Sequence, residues 1–340
     1  TEPLFVFVIM VVAASRPVLV SVEGLVATLE RLAPVRTELA KAWLCLAVVP
    51  LIGSLVTEPA AMTLAALMLG PLIFRPGMPE WLKYAALGVL FVNISIGGTL
   101  TPFAAPPVLM VAGKWNWDLW FMVANFGWKA AIAVLINAGC AMLLFRKQLG
   151  HMGSQPSKNE TTATVPFTVV AVHLLFLILV VIFAHHPAVF LGLFLFFLGF
   201  VTAYPRHQGP LILREALLVA FFLAGLVILG GFQQWWLEPV LMRMDANAVF
   251  FGATALTAIT DNAALTYLGS LVEGLTLDFK TALVAGAVTG GGLTLIANAP
   301  NPAGAAILKE KFSDGAIQPL GLLIAALPPT LVAVLAFRLL

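Results

Sequence analysis

Thr57-Glu58-Pro59-Ala60-Ala61-Met62-Thr63 returns about two hundred residues later as Thr260-Asp261-Asn262-Ala263-Ala264-Leu265-Thr266, with four identities and an acid matched to an acid. A second pair follows in the same order. Gly97-Gly98-Thr99-Leu100-Thr101 in the first half answers to Gly290-Gly291-Gly292-Leu293-Thr294 in the second. Each of these is trailed by prolines, at 102–107 and at Asn298-Ala299-Pro300-Asn301-Pro302. Acids, glycines and prolines set twice into apolar sequence are the mark of a transporter built from repeats, with broken helices around a central site. Chance matching between Ala/Leu/Gly-rich segments is the competing reading. Register and order weigh against it, because Thr and acid positions coincide and two motif pairs keep their sequence.

Working outward, the chain is 61% hydrophobic and 10% charged, with a mean hydropathy of +1.02, which is membrane composition. Its apolar runs, such as 165–184 and 187–204, are long and uninterrupted by charge, whereas a membrane β-barrel has short alternating segments. The expected fold class is therefore an all-α integral membrane protein. The net charge of +2 gives no reason to expect a nucleic-acid partner. Cys45 and Cys140 both fall in apolar stretches and are expected as packed free thiols. The chain opens Thr1-Glu2-Pro3 and enters an apolar run at once, so no cleavable signal peptide is expected.

Spanning or half-spanning segments read at about 4–29, 37–56, 59–74, 82–97, 101–113, 118–146, 164–184, 187–204, 214–233, 246–260, 262–273, 280–292, 295–309 and 317–338. Crossing the hydrocarbon takes about 20 residues, and several segments beside the repeated motifs have only about 12 to 16. They suggest re-entrant hairpins at 37–74 and 246–275 and broken helices at 82–113 and 280–309, in a protein of about 10–12 transmembrane segments. The chain then divides into a first repeat at 1–146, a polar linker at 147–163 and a second repeat at 164–340.

Charge placement orients these halves. If 37–74 enters and leaves on one face, Arg31, Arg36, Arg75, Lys83, Arg146, Lys147, Lys158, Arg206, Arg214, Lys309 and Lys311 share that face. Lys114, Arg243, Lys280 and Arg338 fall on the other. The positive-inside rule makes the first face, and the linker, cytoplasmic. The second hairpin then lies on the outer side, and the two repeats are inverted.

Charge inside a bilayer costs at least about 2.5 kcal/mol at a helix centre, so intramembrane charges mark pathways or structural pairs. Arg16, Glu23, Glu58, Lys129 and Asp261 are the candidates. Glu58 and Asp261 stand out because each follows a Thr, Thr57 or Thr260, at a hairpin tip. There carboxylate, hydroxyl and free carbonyl oxygens can surround a small hard cation such as Na⁺. Alternatively each acid caps the following helix arm. Thr101, Thr294, Asn298 and Asn301 at the breaks, with Asn262 at the second tip, are the polar groups available to complete coordination. Asn93 and Ser95, just before the first break, are equally readable as ligands or as interhelical hydrogen-bond formers. Lys129 is a possible charge partner for Glu58 or Asp261, or else a structural ion pair. Arg16 and Glu23, seven residues apart, share a helix face and read as mutually neutralising. His173 reads as an interhelical hydrogen-bond partner, with His185 and His186 in an outer turn. Trp115, Trp117, Trp120, Trp235 and Trp236 read as interfacial anchors.

These acid-bearing tips and Gly-Thr-Pro breaks resemble the ion transporter superfamily, which includes NhaD-type sodium/proton antiporters, arsenite permeases and sodium-coupled dicarboxylate or citrate carriers. The chain looks most like the Na⁺/H⁺ antiporter branch. Thr260-Asp261-Asn262 is similar to the antiporters' Asp-Asn tip, and Thr57-Glu58-Pro59 is its counterpart, with Pro59 where Asn is the family's pattern. Dicarboxylate carriers have Ser-Asn-Thr at both tips and no acid. The resemblance implies a homodimer in the cell (inner) membrane whose transport domain moves as an elevator, exchanging Na⁺ or Li⁺ for protons and needing no cofactor. A cation-coupled symporter or permease for an anion is the alternative, with an intramembrane enzyme or a channel more remote.

Overall fold

The structure, a computed structural model, describes residues 2–32, 38–149, 165–184, 186–230, 232 and 234–340. Among these it is all-α, with no strand. The chain opens with α1 (Glu2–Ala13) and α2 (Arg16–Leu32), where the sequence suggests one segment over 4–29. The two are bent by 61°. The bend has a local cause: Ser15 turns its hydroxyl back onto the Val12 carbonyl, and Pro17, in the first turn of α2, has no N–H with which to continue the helix.

α3 (Glu38–Val56) and α4 (Glu58–Leu72) meet at Thr57. α5 (Glu80–Gly97) runs into a 3₁₀ turn at Gly98–Leu100, and after a break at 101–105 the chain resumes as α6 (Pro106–Trp115). α7 (Leu119–Met122), a π turn at Val123–Gly127 and α8 (Trp128–Leu149) form one continuous helix. The second half contributes α9 (Phe167–Ile182), α10 (Pro187–Ala203), α11 (Leu213–Gly230) and α12 (Gln234–Leu241). It closes with α13 (Ala246–Thr257), α14 (Asn262–Ser270), α15 (Leu277–Gly290), α16 (Asn301–Leu308) and α17 (Pro319–Leu339). The linker expected at 147–163 begins as the last turn of α8, and 150–163 lies outside the described residues, as do Arg36, Lys158 and His185.

Four helices among the described residues, or five counting the bent pair α1–α2, are long and apolar enough to cross a membrane by themselves. α4, α9, α10 and α13 are shorter apolar helices. α3, at 19 residues, exceeds what a re-entrant arm needs. The second hairpin is splayed: α13 packs along α15, while α14 lies on α6, and the two arms touch little beyond their turn. The second broken helix resumes at Asn301, later than the expected 295, because carbonyls in 291–297 are engaged by tertiary donors and Pro300 and Pro302 supply none.

Two bodies emerge from the packing. α1, α9, α10 and α11 pack largely on one another, α3–α8 with α13–α17 form the other body, and α2 lies between them, against α9 on one side and α3 on the other. Within the second, corresponding elements find corresponding partners: α3 packs on α5 as α13 packs on α15, and α4 lies on α16 as α14 lies on α6. α5 is at the centre and is the most buried of the long helices. It approaches α17 through Gly88, where an added Cβ would sit 2.6 Å from the Ala325 carbonyl oxygen. Two side-chain expectations change. Cys140 is exposed, lining a cavity beside residues of α5 and α17, unlike buried Cys45. Trp117 is a packed residue stacked on Phe121 at 4.6 Å, while Trp120 and Trp235 are exposed as anchors should be.

Gly88→Ala therefore forces α5 and α17 apart and is expected to destabilise by about 1–3 kcal/mol. Gly139→Ala on α8 meets open space and is expected to be neutral or slightly stabilising. Thermal unfolding of the two variants in detergent checks the contrast.

Candidate ion-binding site

Glu58 is the first residue of α4 and has no solvent exposure. Thr57 precedes it in an extended conformation, and Pro59 follows in the first turn, without an N–H to offer the carboxylate. The side chain reaches instead across to the other half of the chain. Its Oε2 accepts a hydrogen bond of 2.8 Å from Asn298 Nδ2 in the second break. Oε1 has no partner among the described residues, and the same is true of Thr57 Oγ1 and Asn298 Oδ1 beside it. The 3₁₀ turn after α5 presses on this group, since a Cβ on Gly98 would collide with the carboxylate. A buried carboxyl group, with unpartnered oxygens on the adjacent Thr57 and on its hydrogen-bond partner Asn298, offers hard oxygen donors of the kind a small monovalent cation takes.

The second tip is built differently. Asp261 is half-buried, and its Oδ1 accepts from the backbone N–H groups of Ala263 at 2.8 Å and Ala264 at 3.0 Å. It is the N-cap of α14, the alternative open to both acids in the sequence. Thr260 bonds its hydroxyl to Leu256 in its own helix. Asn262 is the buried residue here: its backbone N–H donates to Ala297 at 3.1 Å, and neither end of its side-chain amide has a partner among the described residues. It faces Gly291, where a Cβ would lie 2.7 Å from Asn262 Nδ2 and would strike the Ser95 hydroxyl. Ser95 in turn donates to Val288 at 2.8 Å. Asp261 is within Coulombic reach of Glu58.

The second break is what joins the tips. Ala297 takes the Asn262 N–H, the next residue, Asn298, donates to Glu58, and Asn301 Nδ2 closes the loop on the carbonyls of Gly291 and Thr294, both at 2.8 Å. Asn301 Oδ1 is without a partner among the described residues. Thr101 and Thr294 play matching parts: each donates to the end of the first hairpin arm of its own half, Thr101 to Ser54 at 2.6 Å and Thr294 to Ala258 at 2.8 Å.

Two predicted residues lie apart from this cluster. Asn93 donates to the carbonyls of Leu46 and Val134 and accepts from Asn137, tying α5 to α3 and α8. Lys129 pairs with neither Glu58 nor Asp261; it lies over the Trp128 ring in a separate polar cavity. His173, expected to bond to another helix, bonds instead to Val169 of its own helix and to Gln208 in the non-helical segment before α11.

Sequence reading missed Ser54, Thr257 and Thr289. Ser54 donates to Gly97 at 2.6 Å and accepts from the Leu100 N–H at 3.0 Å, stapling the first arm to the first break. Thr257 and Thr289 are fully buried hydroxyls without a partner among the described residues. The signal was present for two of the three. Ser54 and Thr257 stand three residues before Thr57 and Thr260, so reading the repeat one helical turn further back pairs them.

The whole chain, residues 1–340, matches the family described as "Putative Na+/H+ antiporter", and the chain belongs to that family. It is a family of transporters, its substrates are Na⁺ and protons, and the chain is a multi-pass membrane protein. No curated protein matched the chain.

The two acids should respond oppositely to substitution. Glu58→Gln removes a buried charge while keeping an acceptor for Asn298, and is expected to raise the thermal midpoint in Na⁺-free detergent. Asp261→Ala removes a cap and is expected to cost about 1 kcal/mol, whereas Asp261→Asn retains the cap and most of the stability. Differential scanning of the three variants reads this directly.

Proposed function

We propose that Glu58 is the carboxylate at which this antiporter exchanges Na⁺, or Li⁺, for H⁺. What supports the reading above all is that Glu58 is fully buried and that, among the described residues, its Oε1 has no partner, nor do the Oγ1 of the adjacent Thr57 and the Oδ1 of its hydrogen-bond partner Asn298. A carboxylate so placed, with no cationic side chain bonded to it among the described residues, is costly while ionised and free. Either a proton or a small cation relieves that cost, and the two compete for the same oxygen. Competition of this kind is the chemical basis of antiport, because the site crosses the membrane neutralised by one ion or by the other.

In this reading Glu58 Oε1, Thr57 Oγ1 and Asn298 Oδ1 hold the cation, with Asn262 and Asn301 completing the polar wall. Asp261 caps α14 and adds negative potential that favours cation entry. Ser95, Thr101 and Thr294 hold the breaks in shape, and Thr260 stays with its own helix. The matched packing of α3–α6 and α13–α16 favours two inverted repeats, at 1–146 and 164–340. The body made of α3–α8 and α13–α17 then moves as an elevator against α1, α2 and α9–α11. A homodimer in the cell (inner) membrane, as the superfamily resemblance implies, gives that motion a fixed frame.

Proteoliposomes carrying an internal pH dye test the assignment. On a Na⁺ jump, Glu58→Gln is expected to lose at least about a hundredfold of proton efflux, because a neutral amide cannot alternate between H⁺ and Na⁺. Asp261→Asn is expected to lose about tenfold, mostly as a higher Na⁺ concentration for half-maximal rate. Full exchange in Glu58→Gln would falsify the proposal.

A further inference from the structure

Away from the tips, a cavity of about 300 Å³ collects Lys129 and Arg338 with Asn125, Asp278 and Thr281, walled by Phe250 and Phe337. Its position in the fold is informative. Arg338 is in the last turn of α17, Asp278 in the first turn of α15, and Ala246, which also lines the cavity, begins α13. Three helix ends therefore converge on Lys129, which sets it at the level of a membrane boundary although it lies well inside the continuous helix Leu119–Leu149. The π turn at Val123–Gly127 brings Asn125 and Phe126 to the same wall, and Phe126 packs edge-on against Phe337. Trp120 and Trp128 are exposed on the flank of this helix, as interfacial aromatics are.

The charges are unbalanced. The Lys129 ammonium has no hydrogen-bond or ion-pair partner among the described residues beyond its contact with the Trp128 ring at 5.7 Å. The Arg338 guanidinium is oriented by Asn247 Oδ1 and by the Phe250 ring at 5.4 Å, which leaves further N–H groups to donate. The two cations are within Coulombic reach of each other, and Asp278, the acid of the lining, forms an ion pair of 4.0 Å or less with neither. Like charges held around one cavity at a membrane boundary call for an anion. A transported cation would be repelled. The volume exceeds a halide, and a planar fork beside a point-charge ammonium is the pairing that grips phosphate oxygens.

We infer that Lys129 and Arg338 bind a phosphate group at this boundary, as the phosphodiester of an acidic phospholipid headgroup or as free phosphate. The site is separate from Glu58 and stands whether or not exchange occurs there.

Purified full-length protein in nanodiscs tests it, with phosphatidylcholine alone, with added phosphatidylglycerol, or with inorganic phosphate titrated into phosphatidylcholine discs. Bound lipid is read by native mass spectrometry and phosphate affinity by thermal shift. Lys129→Gln/Arg338→Gln is expected to weaken binding about thirtyfold, the combined effect of two basic residues at a lipid surface. Lys129→Arg/Arg338→Lys retains it and reports on folding, and Asp278→Asn strengthens it by removing the like charge. Retention of phosphatidylglycerol alone identifies the lipid source, and a response to inorganic phosphate identifies the free one. If the double Gln variant and the wild type bind phosphatidylglycerol and phosphate equally, or if neither is bound, the inference fails.

Discussion

Two adjacent residues carry the organisation of the site. Ala297 accepts the backbone N–H of Asn262 and Asn298 donates to Glu58, so one peptide of the second break is bonded to the tips of both hairpins. For these bonds to form, 291–300 must not be helical, since a helix would use the same carbonyls internally. Pro300 and Pro302 withhold N–H groups, and Asn301 supplies side-chain donors to Gly291 and Thr294 in their place. Glycine serves the same end from the other side: any side chain at Gly98 would displace the Glu58 carboxylate, and any at Gly291 would displace Asn262.

The two tips diverge through one methylene and one imino acid. Asp261 is short and stands just outside its helix, so its oxygen falls on the N–H groups of Ala263 and Ala264 and is spent there. Glu58 is longer, stands one position further in, and is followed by Pro59, which has no N–H to bind it. With no local partner, it extends to Asn298. The two matched tips thus carry one capping acid and one buried acid, and Asn262 takes the buried place at the second tip.

Much of this was legible in the residues. The apolar runs foretold an all-helical membrane protein, and Gly97-Gly98 and Gly290-Gly291-Gly292 marked where helices stop. The bend at Ser15 was hidden, because a Ser-Arg-Pro run inside apolar sequence reads equally well as a kinked continuous span. The division of labour between the acids was hidden too. Periodicity and motif matching register that Glu58 and Asp261 correspond, but whether a carboxylate meets its own helix or another segment depends on tertiary placement. Lys129 illustrates the same limit: counted along the helix it is deep, yet the ends of α13, α15 and α17 meet it in one cavity.

The polar core also bears on stability. Eight side-chain atoms at the tips, arms and breaks, on Thr57, Glu58, Thr257, Asn262, Thr289, Asn298 and Asn301, are buried without a hydrogen-bond partner among the described residues. A buried polar group costs stability until a partner satisfies it. Seven of the eight are oxygens, the exception being Asn262 Nδ2. A cation can satisfy any of these oxygens, whereas a proton satisfies only the Glu58 carboxylate, the one titratable group among them. In the exchange proposed above, the two ions meet at that carboxylate and nowhere else in the set, so occupancy by one excludes the other, and this exclusion would tie the movement of one ion to the movement of the other.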